Sequence, residues 1–420
     1  ISDSRRVLAE GIEGPWRLSV FALRLIDSDS QAQSTMAQFG HTGRYPDLMN
    51  PAAARAFLAL FHGRLEREIG ALSSHVEGFY TNEPNLMRLP WNSTVRGVRR
   101  FALVPWNDEL PATFLGMHGY DLLPVLGALF EGDDRESRRT RMHFYQTVAE
   151  MVTGSYARQI ARWCEDRGIV SGGHCLLEEH LPMHVACYGD MMKFASEFHV
   201  PAFDIGIPNP DRIESFPYRH AKFFSSVATW KERDTVIALP DPIIEGGGLR
   251  RLSPDAALVR NVVNRVFLYG GNLITSYLPL HPRKDGSARG YAAEEYRALN
   301  EYVGRISLLL RGARQETAVA MYYPIAMFQA DYRPLGQLWP QAVAAHRERQ
   351  ASWDRAGRAL LDADIDYAIL HPEALREARI GGGLIRSGRG AYRYLVMPRV
   401  EILPLAALRQ IRRFEEGGGT

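Results

Sequence analysis

Short apolar runs alternate along this chain with amphipathic stretches, and five of the runs close on polar residues. They end at Val76-Glu77-Gly78-Phe79-Tyr80-Thr81-Asn82-Glu83-Pro84, at Gly173-His174, at Phe203-Asp204, at Leu239-Pro240-Asp241 and across 272–277, from Asn272 to Tyr277. The order strand, loop, helix, repeated, predicts a parallel sheet wrapped by helices. A (β/α)₈ TIM barrel is the fold expected from it. In that fold the C-terminal strand ends converge on one mouth and carry the active site, while the interior is packed solid. Glu83 stands at such an end.

Individual elements follow from local signals. Asn50-Pro51 ahead of 52–69 predicts a helix with Asn50 as N-cap, Pro51 at its first position and Phe57, Leu60, Phe61 and Leu65 on one face. A helix is predicted over 138–167, with Phe144, Val148, Met151, Ile160 and Trp163 spaced for burial. Strands are expected at 200–205, 235–239 and 271–277. The stretch 85–115 is long and aromatic, anchored by Trp91 and Trp106, as suits a loop that shapes a pocket. Five strands fill roughly 200 residues where a complete barrel takes about 250, so they are read as strands 4–8, with three more expected before Ile1.

The layout that results has a remnant or insertion at 1–44, holding a possible strand at 16–26, and a barrel at 45–313. From 314 to 420 the texture changes to a second α/β unit, flavodoxin-like or amidotransferase-like, with strands at 317–323 and 392–397 and helices at 353–363 and 404–414. It contains no cysteine and no nucleotide-cradling glycine motif, and Gly381-Gly382-Gly383 reads as a plain turn, so its expected role is structural. The helix and glycine turn at its end would feed another strand, so the unit is expected to be incomplete.

Composition narrows the function. With 46% apolar and 23% charged residues the chain is an ordinary globular protein and not a disordered one. Its 50 basic and 48 acidic residues leave a net charge of +2, unlike a protein that neutralises a phosphate backbone. No run approaches the roughly 18 apolar residues of a membrane span, so a soluble protein of open compartment is expected. The three cysteines, Cys164, Cys175 and Cys187, are expected as reduced, buried thiols. His174, His180 and His184 lie among them, but Pro182 separates the last two and no C-x-x-C is present, so no metal site is expected.

A carboxylate at a strand end, preceded by an amide, suits glycoside cleavage. Glu83 would protonate the leaving oxygen while Asn82 orients a sugar hydroxyl. Hydrolysis needs a second carboxyl group: Glu178 and Glu179 are the first candidates and Glu245 the second, while Asp204 ends the next strand and Asp241, like Glu245, follows the one after. Each has a plainer alternative: Glu83 as a helix cap, Glu178 and Glu179 as first-turn residues complementing a helix dipole, His174 as a core histidine, Asp190 as a helix cap.

Five ordered segments carry a resemblance. Tyr45-Pro46-Asp47-Leu48-Met49-Asn50-Pro51, Gly78-Phe79-Tyr80-Thr81-Asn82-Glu83-Pro84 and Gly119-Tyr120-Asp121-Leu122-Leu123-Pro124 are followed by Gly172-Gly173-His174-Cys175-Leu176-Leu177-Glu178-Glu179 and Ala221-Lys222-Phe223-Phe224-Ser225-Ser226-Val227-Ala228. Over about residues 45–325 they resemble the (β/α)₈ glycoside hydrolases of the α-L-rhamnosidase type, family 106. The resemblance implies that the acid of that family's Thr-Asp-Glu-Pro motif falls on Glu83, with Asn82 in place of Asp, its Gly-His strand end on Gly173 and His174, and a nearby glutamate on Glu178. It also implies an accessory domain after residue 314 and raises calcium as a cofactor, for which no oxygen-dense loop is visible. One departure stands out: the Ser-Glu pair such relatives carry at the strand 235–240 is absent here. Asp241 or Glu245 substitutes from the loop, or Glu178 or Glu179 supplies the group, or hydrolysis has been lost.

The expectation is a carbohydrate-active hydrolase. Glu83 is its acid, Glu178 or Glu179 its base or nucleophile, and Asn82, Trp106, His174, Asp190, Asp204, Glu245, Asn272 and Tyr277 shape the sugar pocket. The rival is a non-catalytic carbohydrate-binding barrel.

Overall fold

In the computed structural model the described residues are 19–23, 45–86, 102–206, 219–241, 256–275, 292–313, 315–334 and 339–420. Trp91, Glu245, Tyr277 and most of 1–44 lie outside them, and the described part of the strand expected at 16–26, residues 19–23, forms no strand.

Five strands make one parallel sheet: β1 (Gly78–Asn82), β2 (Val170–His174), β3 (Val200–Gly206), β4 (Ile237–Asp241) and β5 (Leu273–Ile274). They are hydrogen-bonded in chain order, with Asn82 beside His174, Gly173 beside Pro201, Asp204 beside Leu239 and Ala238 beside Ile274. A doubly wound sheet reverses its order at a switch point. This one does not reverse, and it runs as the wall of a barrel runs. Helices intervene at Arg158–Glu165, Leu181–Tyr188, Arg219–Trp230 and Ala256–Leu268, so every step is a β-helix-β crossover. Glycine permits the tight approach of β1 and β2, since a Cβ on Gly173 would lie 2.8 Å from the Thr81 carbonyl oxygen and 3.1 Å from the Phe198 ring.

The helix ahead of β1 starts as expected. The Asn50 side chain accepts from Ala52 N–H at 2.9 Å and Pro51 takes the first turn. Its buried face differs from the expected one. A π turn at Leu58–His62 interrupts the α-helix, and Ala54, Leu58 and His62 point inward while Phe57, Leu60 and Phe61 are exposed. Positions 54, 58, 62 and 65 are also helically spaced, and the His62 ring, 4.0 Å from Phe79 and 5.3 Å from Trp163, takes the inward place. The helix expected over 138–167 forms as Arg135–Val152, a π turn and Arg158–Glu165, with Phe144, Val148, Met151 and Ile160 buried.

Beyond residue 314, β6 (Val319–Tyr322) is flanked by β7 (Ala368–Leu370) and, later in the chain, β11 (Tyr394–Val396), all parallel. A first strand between the second and third is how a flavodoxin-type sheet begins. Between β7 and β11 the chain inserts an antiparallel meander, β8 (Arg379–Gly381), β9 (Leu384–Ser387) and β10 (Gly390–Tyr392), which periodicity did not reveal. The turn joining β8 to β9 uses Gly382 at φ 61° and Gly383 at φ 67°, the left-handed pair a two-residue hairpin requires. Both sheets share one continuous core: Trp353 stacks on Phe223 at 5.2 Å, and Met321, Tyr323 and Ile369 join the same cluster as Phe203 and Val227. Lys222, fully buried, is paired with Asp366, whose other oxygen accepts from Gln315. No described helix is long and apolar enough to cross a membrane.

Candidate active site

Glu83 follows β1 directly and is the point where the chain leaves the sheet. Its N–H still donates to the His174 carbonyl at 3.3 Å, as one more rung of the β1–β2 ladder. Its φ is then +48°, in the left-handed region that costs an L-residue about 1–2 kcal/mol. Asn85, almost fully buried, holds that turn, donating from Nδ2 to the Glu83 carbonyl at 3.0 Å while its own N–H donates to the Tyr45 hydroxyl at 3.4 Å. The Glu83 side chain keeps 32% of its surface exposed. Glu83 is thus a partly exposed acid held in a strained backbone conformation at a strand end, and such strain clusters at functional sites. Glycine carries no such strain, so Glu83→Gly is expected to unfold at the same or a higher temperature than the parent; a fall of more than about 2 °C in its calorimetric midpoint would show that nothing is strained there.

Strand alternation puts Tyr80 and Asn82 of β1, Gly172 and His174 of β2 and Ala202 and Asp204 of β3 on one face of the sheet. His174 is 2% exposed, and burial pushes its imidazole down to about 4, so the ring is neutral at neutral pH. Its Nδ1 lies 2.7 Å from the Tyr80 hydroxyl and its Nε2 3.9 Å from Glu83 Oε1. One carboxylate oxygen each of Glu83 and Asp204 and a ring nitrogen of His174 lie within 4.8 Å of one another. A second carboxyl group, that of Asp204, therefore stands beside Glu83.

Glu178 is placed differently. The chain turns sharply after His174, with Leu177 at φ 54°, and Glu178 folds back so that Oε1 accepts from Cys175 N–H at 2.8 Å. Only 1% of it is exposed, and Oε2 finds no hydrogen-bond partner among the described residues. Burial pushes its carboxyl well above the usual range; the charges of Asp204, Glu179 and Glu83 push the same way, and the Cys175 N–H opposes them. One hydrogen bond to a charged group contributes about 1.5–3 kcal/mol, whereas an uncompensated buried charge costs several kcal/mol. Burial wins, and the protonated form is favoured. Glu178 is thus a buried acid behind the pair rather than a group facing substrate. Glu179 is partly exposed, 3.5 Å from His180 Nε2, and neither residue lies in the helix that follows, Leu181–Tyr188.

The turn is held from below by residues that motif reading missed. His184 Nε2 donates to the Glu178 carbonyl at 2.6 Å, which leaves Nδ1 to accept from the Tyr323 hydroxyl at 2.8 Å. Gln350 brackets the same turn, donating to the Glu179 carbonyl at 3.1 Å and accepting from Leu181 N–H at 3.2 Å. Tyr323 and Gln350 both belong to the region after residue 314.

Asp190 and Asn272 sit elsewhere. Asp190 caps the helix Met191–Ala195 and accepts from His371 Nε2 at 2.8 Å, buried between the two sheets. Asn272 precedes β5, and its amide is engaged with the entry to β4, accepting from Val236 N–H and donating to the Asp234 carbonyl, at the opposite end of the strands from Glu83. Trp106 is partly buried against the main core in the segment leading to the helix Leu110–His118. Asp241 ends β4 beside Gly206, but its side chain, like Glu245 and Tyr277, lies outside the description. The three cysteines are free and buried, and burial raises all three thiols, so they are poor nucleophiles.

Glu83, His174 and Asp204 also have the donor types of a metal site. Two carboxylates and an imidazole match zinc or manganese better than calcium, which takes six to eight oxygen ligands. The calcium suggested by resemblance does not fit this donor set.

Compared with known proteins, no protein-family model matches the chain and no curated protein sequence matches it. Solved structures do. A rhamnosidase from Novosphingobium sp. PP1Y superposes with a TM-score of 0.58 at 19% identity, over 90% of this chain and 34% of the rhamnosidase. A β-galactosidase from Rahnella sp. R3 gives 0.58 at 14% identity over 90% and 55% of the two chains. One from the haloarchaeon Halorubrum lacusprofundi gives 0.55 at 12% over 89% and 56%. The fold is shared with solved glycoside hydrolases. This chain spans about a third of the length of the rhamnosidase and just over half of either galactosidase.

Proposed function

We propose that the chain is part of a (β/α)₈-barrel glycoside hydrolase that removes a terminal, α-L-rhamnoside-like sugar from a glycan, with Glu83 and Asp204 as its carboxyl pair. Residues 45–313 are the barrel wall in this reading, and 314–420 an accessory α/β domain. The observation that carries the proposal is the approach of the two side chains at the ends of β1 and β3, with oxygens within 4.8 Å. Carboxyl groups about 5–5.5 Å apart act as acid and nucleophile, whereas about 6.5–9.5 Å is needed to admit a water between them. With oxygens within 4.8 Å, this reading takes the pair as the close kind.

Glu83 then donates its proton to the glycosidic oxygen as that C–O bond breaks, and the Asp204 carboxylate bonds to the anomeric carbon. A water deprotonated by Glu83 cleaves the glycosyl ester in the second step, and the sugar leaves with its configuration retained. The choice of rhamnoside rests on the motif around Glu83 and on the likeness to the rhamnosidase.

The test is nitrophenol release from a panel of aryl glycosides, α-L-rhamnoside and β-galactoside included, by the protein and by Glu83→Gln. Turnover of the rhamnoside, at least about 10³-fold slower in the variant, and retention in the first-formed anomer by proton NMR are expected. Silence from both proteins, with free sugars still raising the melting temperature, would assign the chain to sugar binding without cleavage.

A further inference from the structure

Tyr80 has no place in the two-carboxylate scheme, yet its hydroxyl makes a short polar contact with the His174 ring, 2.7 Å from Nδ1. The rings are tilted at 35° with centroids 5.8 Å apart, so the bond is made edge to edge rather than by stacking. Tyr80 itself is 41% exposed on the face that carries Asn82, and it reaches inward to a histidine that is almost fully buried. The far nitrogen of that histidine, Nε2, faces Glu83 Oε1 at 3.9 Å, beside Asp204.

A neutral imidazole has a single N–H, and the partner on one nitrogen decides where it sits. Two arrangements satisfy Tyr80. Its O–H donates to Nδ1, leaving the proton on Nε2 toward the carboxyl pair; or Nδ1–H donates to the phenolic oxygen, leaving a bare Nε2 lone pair toward two acidic oxygens. Asp204, the ionised member of the pair in the glycosidase reading, favours an N–H over a bare lone pair on the ring nitrogen beside it, since hydrogen bonds to an ionised acceptor are about twice as strong as neutral ones. Only the first arrangement satisfies both sides of the ring at once, with the Tyr80 hydroxyl donating to Nδ1 and an N–H on Nε2 toward the carboxyl pair.

We propose that Tyr80 is a positioning residue: its hydroxyl donates to His174 Nδ1 and so presents Nε2–H to Glu83, orienting the strand-end acid beside Asp204. This deepens the glycosidase reading and rests on it for its catalytic consequence, but the tautomer itself does not depend on any activity. It also separates this centre from a metal site. A ligating histidine presents a bare nitrogen to the metal and donates its other N–H to an outer acceptor, which would be the reverse assignment.

The experiment uses the whole protein, chelator-treated and labelled with ¹⁵N-histidine, with His174 assigned through a His174→Gln variant. Long-range ¹H–¹⁵N spectra at neutral pH are expected to show His174 Nε2 protonated and Nδ1 bare. In Tyr80→Phe, which keeps the ring and removes only the hydroxyl, that pattern should be lost or mixed, and kcat/KM on the aryl glycoside should fall about 10-fold, the effect typical of a lost outer partner. A protonated Nδ1 with bare Nε2 in the parent, or a pattern unchanged in Tyr80→Phe, overturns the proposal. If the glycosidase reading fails instead, the parent shows no turnover while the nitrogen pattern still reports on Tyr80.

Discussion

Asp204→Asn is expected to lower kcat/KM on the responsive aryl glycoside by at least about 10³-fold, the scale on which loss of a nucleophile is felt. Glu178→Gln should stay within about 10-fold of the parent. The contrast separates two carboxyl groups that are close in space and opposite in environment. Asp204 shares a cluster with a partly exposed Glu83, where a sugar oxygen can arrive. Glu178 has 1% of its surface exposed, and its Oε1 is already bonded to Cys175 N–H. A glutamine keeps that bond through its own Oε1 and supplies the neutral side chain that burial favours at Glu178, so little should change. Initial rates on both variants, with melting temperatures to confirm folding, check the assignment. A Glu178→Gln enzyme that folds normally and is as inactive as Asp204→Asn would return the second catalytic role to Glu178.

Why Asp204 ranked behind Glu178 in the sequence is a matter of register. Sequence places Glu178 four residues past a strand end and Asp204 near the end of another, and nothing in either segment says how far β3 is shifted against β1. That depends on the pairing of Gly172 with Val200, a long-range fact. Glu83 needed no such information, because its position one residue past β1 follows from local alternation alone. The strands β1 to β4, the helices at 51–69 and 135–165 and the turn at Gly382-Gly383 were likewise legible, since period and glycine placement are local signals. The inward face of the helix at 51–69 was not: Phe57-Leu58 and Phe61-His62 offer two adjacent stripes, and the π turn selects the one containing His62. The meander β8–β10 escaped because its strands are three or four residues long, too short for alternation to register. For Asp190 the sequence left two readings open, a helix cap and a hydroxyl ligand, for a different reason. A buried aspartate that caps a helix and meets His371 has the same local sequence as one that binds a hydroxyl, and only the packing of the second sheet tells them apart.

That packing gives the region after residue 314 a more specific structural role than a passive neighbour would have. Tyr323, immediately after β6, donates to His184 Nδ1, and His184 in turn holds the Glu178 carbonyl. Gln350, from the helix Arg347–Asp362, closes the same turn from the other side. The turn behind the carboxyl pair is therefore built jointly by both parts of the chain, so the region after residue 314 takes part in shaping the site even though it contributes no residue to the pair itself.

The largest loss of stability is expected from Arg141→Met. Arg141 is 1% exposed and is held by no carboxylate hydrogen bond; four backbone carbonyls solvate its guanidinium instead. Nε donates to Ala330 at 2.7 Å, near the C-terminal end of the helix Ile325–Asp331, where carbonyls lack helical partners and a positive charge complements the dipole. One terminal nitrogen reaches Ala128 at 2.8 Å, Glu131 at 3.1 Å and Gly132 at 2.9 Å, closing the loop ahead of its own helix. Methionine fills a similar volume and satisfies none of these acceptors. Stranding such a set costs about 3–5 kcal/mol, a large share of the 5–15 kcal/mol that typically separates folded from unfolded protein. The midpoint of thermal unfolding, followed by near-ultraviolet circular dichroism, should fall by about 3–6 °C. Arg141→Lys should fall between parent and Met, because an ammonium keeps the charge but has three donors and no planar fork to span two elements. A Lys variant as unstable as Met would mean that fork geometry matters and charge does not; a Met variant as stable as the parent would mean that the four carbonyls find water in place of Arg141.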